Sequence, residues 1–182
     1  MIGRIATILS GVLKLLYTES ITHGGININI FVLDREPKRS AMYHKDKHVN
    51  KMILESAQML CTAHHVYGND APYKKTHVNH PCTKWARESI ENYNWLLGLA
   101  ENLIQEYDHR WGNKVHATTQ VVAWLRNNKP NLPSKGVTER PMAMDDEYKT
   151  NSIVRAYRNY YIGEKVDEAS WTNRPKPSWI VD

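Results

Sequence analysis

Between Lys38 and His65 the polar residues recur at three- and four-residue intervals, which restricts the segment to one long amphipathic helix. His44, Lys47, His48, Lys51, Glu55, Gln58, Thr62 and His65 form a single row, because side chains three and four positions apart share a helix face. Met42, Val49, Ile53, Ala57 and Leu60 fall on the opposite side, an ordinary core-facing set. Met52, Leu54, Met59 and Cys61 border the polar row with apolar side chains. Charged groups bounded in this way are expected to line a cleft suited to proton transfer, amine chemistry or anion binding. The competing expectation is a satisfied polar network or a solvated face.

At 182 residues the chain can bury a core without disulfides or metals. The hydrophobic fraction is 41%, and no stretch approaches the length that crosses a bilayer. Cys61 and Cys82 are the only cysteines, so no disulfide framework is expected and a reducing, cytoplasmic compartment is the default. The net charge of +5 favours anionic partners such as nucleic acid. Six Trp and ten Tyr stand against one Phe, so almost every aromatic ring carries a polar handle suited to wet interfaces and base stacking.

Residues 1–25 are read as an N-terminal extension, either disordered or a translation-start artefact, and 26–182 as a single helical domain. Ser10, Gly11 and Lys14 interrupt any secretory apolar run, so no signal peptide is assigned. Residues 26–33 are rich in Ile, Val and Phe and read as a short strand. A first long helix spans about 38–65. A second runs from Pro81, placed where a first turn tolerates proline, to Trp111 before Gly112. Shorter helices are expected over 118–128 and 151–162, the latter stopped by Gly163. Residues 129–150 hold Pro130, Pro133 and Pro141 and read as a long loop, a length often associated with function. The predicted fold is mainly α: a compact helical domain with one short N-terminal β-strand.

Within the polar row Lys51 lies one turn before Glu55, so an amine there could attack a sugar or carbonyl carbon. Glu55 or Asp46 would act as acid or base. His44 and His48 have the i, i+4 spacing that lets two imidazoles share a metal, with His64, His65, His77 or His80 as a third ligand. No HExxH motif is present, and no metal is assigned. Lys74, Lys75, His77, Asn79 and His80 precede the second long helix, whose first backbone N–H groups favour an anion; Lys84 and Arg87 add charge there. The plainer reading makes His80 or Asn79 a cap. On the last helix Arg155 and Arg158 are candidate phosphate contacts, while Tyr157 and Tyr161 fit the core.

Lys47-His48-x-x-Lys51, followed by Glu55, Gln58 and Leu60, resembles the first helix of small bacterial and phage pyrimidine-dimer DNA glycosylases related to endonuclease V. Asn79-His80-Pro81 followed by Trp85 is similar to that family's N-H-P-x-x-x-x-W step. Glu91, Tyr93, Leu96 and the Glu106-to-Arg110 end resemble its next helix, and Tyr157 to Gly163 its aromatic, basic end. The ordered likeness covers about residues 27–112. It implies a mainly helical fold, duplex DNA with damaged or modified pyrimidines as partner, glycosylase and AP-lyase activity, and no cofactor. In that family the α-amine of the mature N-terminus attacks the sugar carbon and a carboxylate on the first helix assists. Here that carboxylate is Glu55 or Asp46, Lys51 and Lys47 are amine or phosphate contacts, and His48 is a proton relay. The chain departs from the family in beginning well before the strand. A non-catalytic DNA- or nucleotide-binding protein and a His-cluster metal-dependent phosphoesterase are the alternatives.

Overall fold

The computed structural model describes residues 28–112 and 114–181. The expected extension over 1–25 and the first residues of the expected strand lie outside them. Residues 28–33 form buried irregular chain, and no strand occurs among the described residues. Six α-helices are described: α1 (Pro37–Tyr43), α2 (Asp46–Val66), α3 (Pro81–Ala86), α4 (Ile90–Trp111), α5 (Thr119–Asn127) and α6 (Ile153–Glu164). A 3-10 turn spans Asp146–Tyr148. The architecture is mainly α, and no helix is long and apolar enough to cross a membrane.

α2 and α4 make the central pair, with α1 against α4 and the short α3 against α2. Their buried faces carry Val49, Ile53, Ala57 and Leu60 from α2 and Tyr93, Leu96, Ala100 and Leu103 from α4. Ile28, Ile30, Val32 and Leu33 are also nearly inaccessible, so the entering segment is part of the core rather than an arm over it.

The helix expected over 38–65 is broken at His44 and Lys45, whose backbones are extended. His44 Nδ1 lies 2.7 Å from the Ser40 carbonyl oxygen, the acceptor that a continuing helix would offer to the His44 N–H. Arg110 on α4 donates to the carbonyls of Met42 (3.0 Å) and His44 (2.8 Å). A cation on the last carbonyls of a helix both satisfies them and complements its dipole. α1 therefore ends on Arg110, and the Asp46 N–H starts α2 by donating to Ser170.

The second expected helix is likewise two. Ser89 caps α4, its hydroxyl accepting from the Asn92 N–H at 3.1 Å, which satisfies a donor that a helix start otherwise leaves orphaned. Trp85, Ile90 and Tyr93 keep helical spacing across the break, which hides it in the sequence. Gly163 does not end α6; the helix continues to Glu164. A β-carbon at Gly163 would lie 2.6 Å from the Tyr148 ring, so the glycine makes room for that ring. Residues 129–150 are irregular apart from the 3-10 turn.

Candidate active site and the adjoining groove

Asp46 and Glu55 both lie on α2, nine residues and about two and a half turns apart, and so on opposite faces. Their surroundings differ as sharply. Asp46 accepts from Arg110 Nη1 (2.9 Å), the Ser170 hydroxyl (2.7 Å), and the Thr172 hydroxyl and N–H (2.7 and 3.0 Å). Burial raises its carboxyl, but the bonds from Ser170, Thr172 and Arg110 outweigh this and hold it below the ordinary carboxylate range. Both of its oxygens are bonded by structural partners.

Glu55 is 3% exposed and among the described residues has two polar partners. The Asn29 N–H donates to Oε2 at 3.3 Å, and Lys51 Nζ stands 3.1 Å from Oε1 without forming a well-aligned hydrogen bond to it. Burial pushes the Glu55 carboxyl upward, outweighing the Lys51 charge and the Asn29 bond. Desolvation dominating over charge pairing moves a carboxyl toward holding its proton. The Lys51 side chain is half exposed, so this carboxylate connects the interior to solvent through one amine.

Asn29 is fixed on all sides. Its Oδ1 accepts from the Ile30 N–H (2.7 Å) and the Tyr157 hydroxyl (2.9 Å), with Cys82 Sγ at 3.6 Å. Its Nδ2 donates to the Ala143 carbonyl at 2.8 Å. The residue thus joins the entering segment, α3, α6 and the 129–150 loop at one point beside Glu55. Spacing within the sequence marks none of these contacts, since Asn29 meets Tyr157 and Ala143 from more than a hundred residues away. Cys82 and Cys61 are buried, and burial pushes each thiol up to about 12, which removes them as nucleophiles at neutral pH.

His48 shares the Glu55 face two turns earlier. Its ring stacks on Phe31 with centroids 4.6 Å apart, its Nδ1 has no partner, and burial lowers its pKa to about 2. It packs as a neutral aromatic ring. His44 lies off the α2 face, fully buried, and burial lowers its pKa to about 4. The row that spacing placed on one cleft face is therefore divided: His44, His48, Glu55 and Thr62 are inside, and Lys47 and Lys51 are outside. None of these side chains lines the groove formed by α3 and the long loop. Among the described residues, no group of three or more His, Cys, Asp and Glu is placed to hold a metal ion.

A groove lies one element away, beside α3. Pro81, Lys84, Trp85 and Glu88 of α3 and its C-terminal end, with Glu139 to Met142 of the long loop, enclose an open space of about 480 Å³. Ile30, Val32, Cys82, Trp85, Arg140 and Pro141 line a smaller space next to it, and Cys82 of that lining has its Sγ 3.6 Å from Asn29 Oδ1. The loop is held by a two-way bond between Thr138 and Asn92 (2.7 and 3.0 Å) and by the Tyr157 hydroxyl 3.0 Å from the Pro141 carbonyl.

Of the residues expected to contact DNA, Lys47, Lys74, Lys75, Lys84 and Arg155 are exposed. Three others are engaged within the fold. His80 Nδ1 accepts from the Cys82 N–H at 3.2 Å and caps α3. Arg87 donates to the Val78 carbonyl at 2.8 Å. Arg158 donates to the Leu33 carbonyl at 2.9 Å and lies over the Tyr43 and Trp179 rings. No protein-family model matches this chain, and no solved structure matches it significantly.

Proposed function

We propose that this chain is a DNA glycosylase-like protein acting on damaged or modified pyrimidines, with an amine nucleophile, Glu55 as the assisting carboxyl and AP-lyase activity. The observation that carries this reading is the Asn29 backbone nitrogen 3.3 Å from the buried Glu55 carboxylate. In a form of the protein whose first residue is Asn29, that nitrogen is a primary α-amine already on its acid–base partner. Glu55 takes a proton from the ammonium and frees its lone pair. The amine bonds to the sugar C1′, the glycosidic C–N bond breaks, and the base leaves with the electron pair and takes up a proton. The sugar ring then opens to an imine, which borohydride reduces to a stable amine. The target nucleotide has to leave the stack to present C1′, and the exposed lysines Lys47, Lys74, Lys75 and Lys84 serve backbone phosphates.

A second amine stands on the same carboxylate, Lys51 at 3.1 Å. The chemistry is identical with its Nζ as nucleophile. The reading uses Glu55 rather than Asp46, because Asp46 is saturated by Arg110, Ser170 and Thr172. It uses no relay through His48, since burial that lowers the imidazole pKa to about 2 disfavours the imidazolium that a relay passes through at neutral pH.

The test is borohydride trapping on irradiated and abasic duplexes with the full chain and with a form starting at Asn29, followed by mass mapping of the adduct. An adduct on the α-amine of the shortened form, or on Lys51 of either form, supports the reading. Absence of any adduct and of strand cleavage from both forms refutes it. One observation favours the non-catalytic alternative. With residues preceding it, the Asn29 nitrogen is an amide, and an amide is no nucleophile. A DNA- or nucleotide-binding protein would show binding with no adduct in either form.

A further inference from the structure

Arg140 is the one half-buried arginine among the described residues whose guanidinium has neither a hydrogen bond nor an ion pair. Arg87 and Arg158 donate to backbone carbonyls, Arg110 and Arg174 pair with Glu106, and Arg126 pairs with Glu101. Arg140 instead lies over two indoles, 4.2 Å from the Trp95 ring centroid and 5.3 Å from that of Trp85. Its Nε is buried and unpartnered. Burial, with Arg35 nearby, lowers its pKa, so both effects disfavour the cation as it stands. A guanidinium carries five donors and no acceptor, and a buried donor left unmade is costly. Glu88 and Glu139 line the same groove, yet neither reaches ion-pair distance of Arg140.

The position is also held rigidly. Both indole N–H groups are engaged, Trp95 with the Arg35 carbonyl at 2.9 Å and Trp85 with the Thr138 carbonyl at 3.3 Å. The loop is anchored on one side of Arg140 at Thr138 and on the other at Pro141. A planar donor fork fixed by stacking, opening on a groove of about 480 Å³ with Lys84 on its wall, matches the geometry of a phosphate oxyanion, which accepts bidentate bonds from arginine.

We infer that Arg140, with Lys84, forms a phosphate-binding site in the groove between α3 and the 138–142 loop. The shared chemistry is a phosphate ester, from either a DNA strand or a free nucleotide. The site itself stands independently of the glycosylase reading. Its assignment to the strand whose sugar meets Glu55 rests on that reading; the two places are linked through Cys82, which meets Asn29 beside Glu55.

The test measures binding of a short single-stranded oligonucleotide, a duplex and thymidine 5′-monophosphate to the full chain and to Arg140→Gln and Arg140→Lys. Lys129→Gln is the charge control, since Lys129 is exposed and outside the groove. Loss of a charge-assisted phosphate contact predicts about a tenfold or greater weakening for Arg140→Gln. It also predicts a salt slope shallower by about one. Arg140→Lys keeps the charge but loses the fork, so it recovers only part of the affinity. Lys129→Gln stays within about twofold. The melting temperature of Arg140→Gln changes little, because the relief of the unbonded Nε is offset by the lost stacking on Trp85 and Trp95. Arg140-dependent binding of the oligonucleotides alone assigns the strand, and comparable dependence for the mononucleotide assigns the free nucleotide. The inference is overturned if Arg140→Gln binds like Lys129→Gln, if the wild type binds none of the three probes, or if Arg140→Gln merely unfolds earlier with unchanged affinity in the folded state. Arg140-dependent binding without any borohydride adduct would leave this site standing while removing the glycosylase reading.

Discussion

The start and the middle of α2 hold buried charge in opposite ways. At its start, Arg110 has a side chain with no exposure and spends its donors on Asp46, Glu106 and the carbonyls of Met42 and His44. Arg174 returns from the C-terminal segment to cover the other side of Glu106 at 2.6 Å. Two turns and more along the helix, Glu55 is as deeply buried but keeps one oxygen poorly bonded beside a half-exposed lysine. A saturated buried network specifies a fold, because each lone pair has one place to go. An under-satisfied one stores the desolvation that shifts a pKa, and such groups cluster where chemistry is done.

The largest effect should come from the saturated end. Arg110→Ala removes the cation shared by Asp46 and Glu106, leaving Asp46 with Ser170 and Thr172 and Glu106 with Arg174 alone, and releases the α1 carbonyls, a loss of about 3–5 kcal/mol in denaturant unfolding. If the loss were below about 1 kcal/mol, the network would not be what joins α1, α2 and the C-terminal segment. Glu55→Gln should behave in the reverse sense. It should lower the yield of trapped adduct by about a hundredfold or more while leaving stability unchanged or slightly higher near pH 7. The sign follows from the raised Glu55 pKa: the fold favours the protonated carboxyl, so this group's stabilising contribution is present at low pH and disappears as pH rises through the folded value.

Histidines His44 and His48 give the next effect. Both are held neutral, with pKa lowered to about 4 and about 2 from 6.5. Their contribution is intact above pH 6.5 and is lost as the pH falls toward those values. Between pH 7 and 5 each should cost about 2 kcal/mol, from roughly one and a half units below the unfolded pKa. His64 acts in the same direction. Glu55 opposes them over this range, and Asp46, already lowered, titrates below it. Urea midpoints at the two pH values measure the sum. His48→Phe, which keeps the stack on Phe31, should remove its share of the acid loss, and an unchanged pH slope would show that His48 is not the source.

The smallest effect sharpens the other side of the comparison. Tyr157→Phe removes the hydroxyl that meets Asn29, Pro141 and Ala143, for about 1 kcal/mol of stability. A fall in adduct yield beyond that loss would show that Asn29 needs to be positioned against Glu55.

Much of the helical framework was legible. The apolar spacing of Val49, Ile53 and Leu60, and of Tyr93, Leu96 and Leu103, placed α2 and α4 on the core, and all six side chains are buried. The breaks were not legible, for a specific reason. The Lys45 break is made by Arg110, sixty-five residues away, and the Ser89 break preserves helical spacing on both sides. Glu55 was visible as a carboxylate one turn from Lys51, but Asp46 was its equal until Ser170 and Thr172 came into view. Arg140 had no signature at all, since its meaning depends on Trp85 and Trp95 meeting beneath it.

What the amino-acid order determined alone was periodicity: which segments coil into helices and which of their faces avoid water, because those preferences act between neighbours a turn apart. Only tertiary packing decided which chemically equivalent groups became saturated and which were left reactive. That choice depends on the partners that distant segments bring within hydrogen-bond reach. Asn29 against Glu55, and Arg110 against Asp46, are pairings that no local spacing encodes.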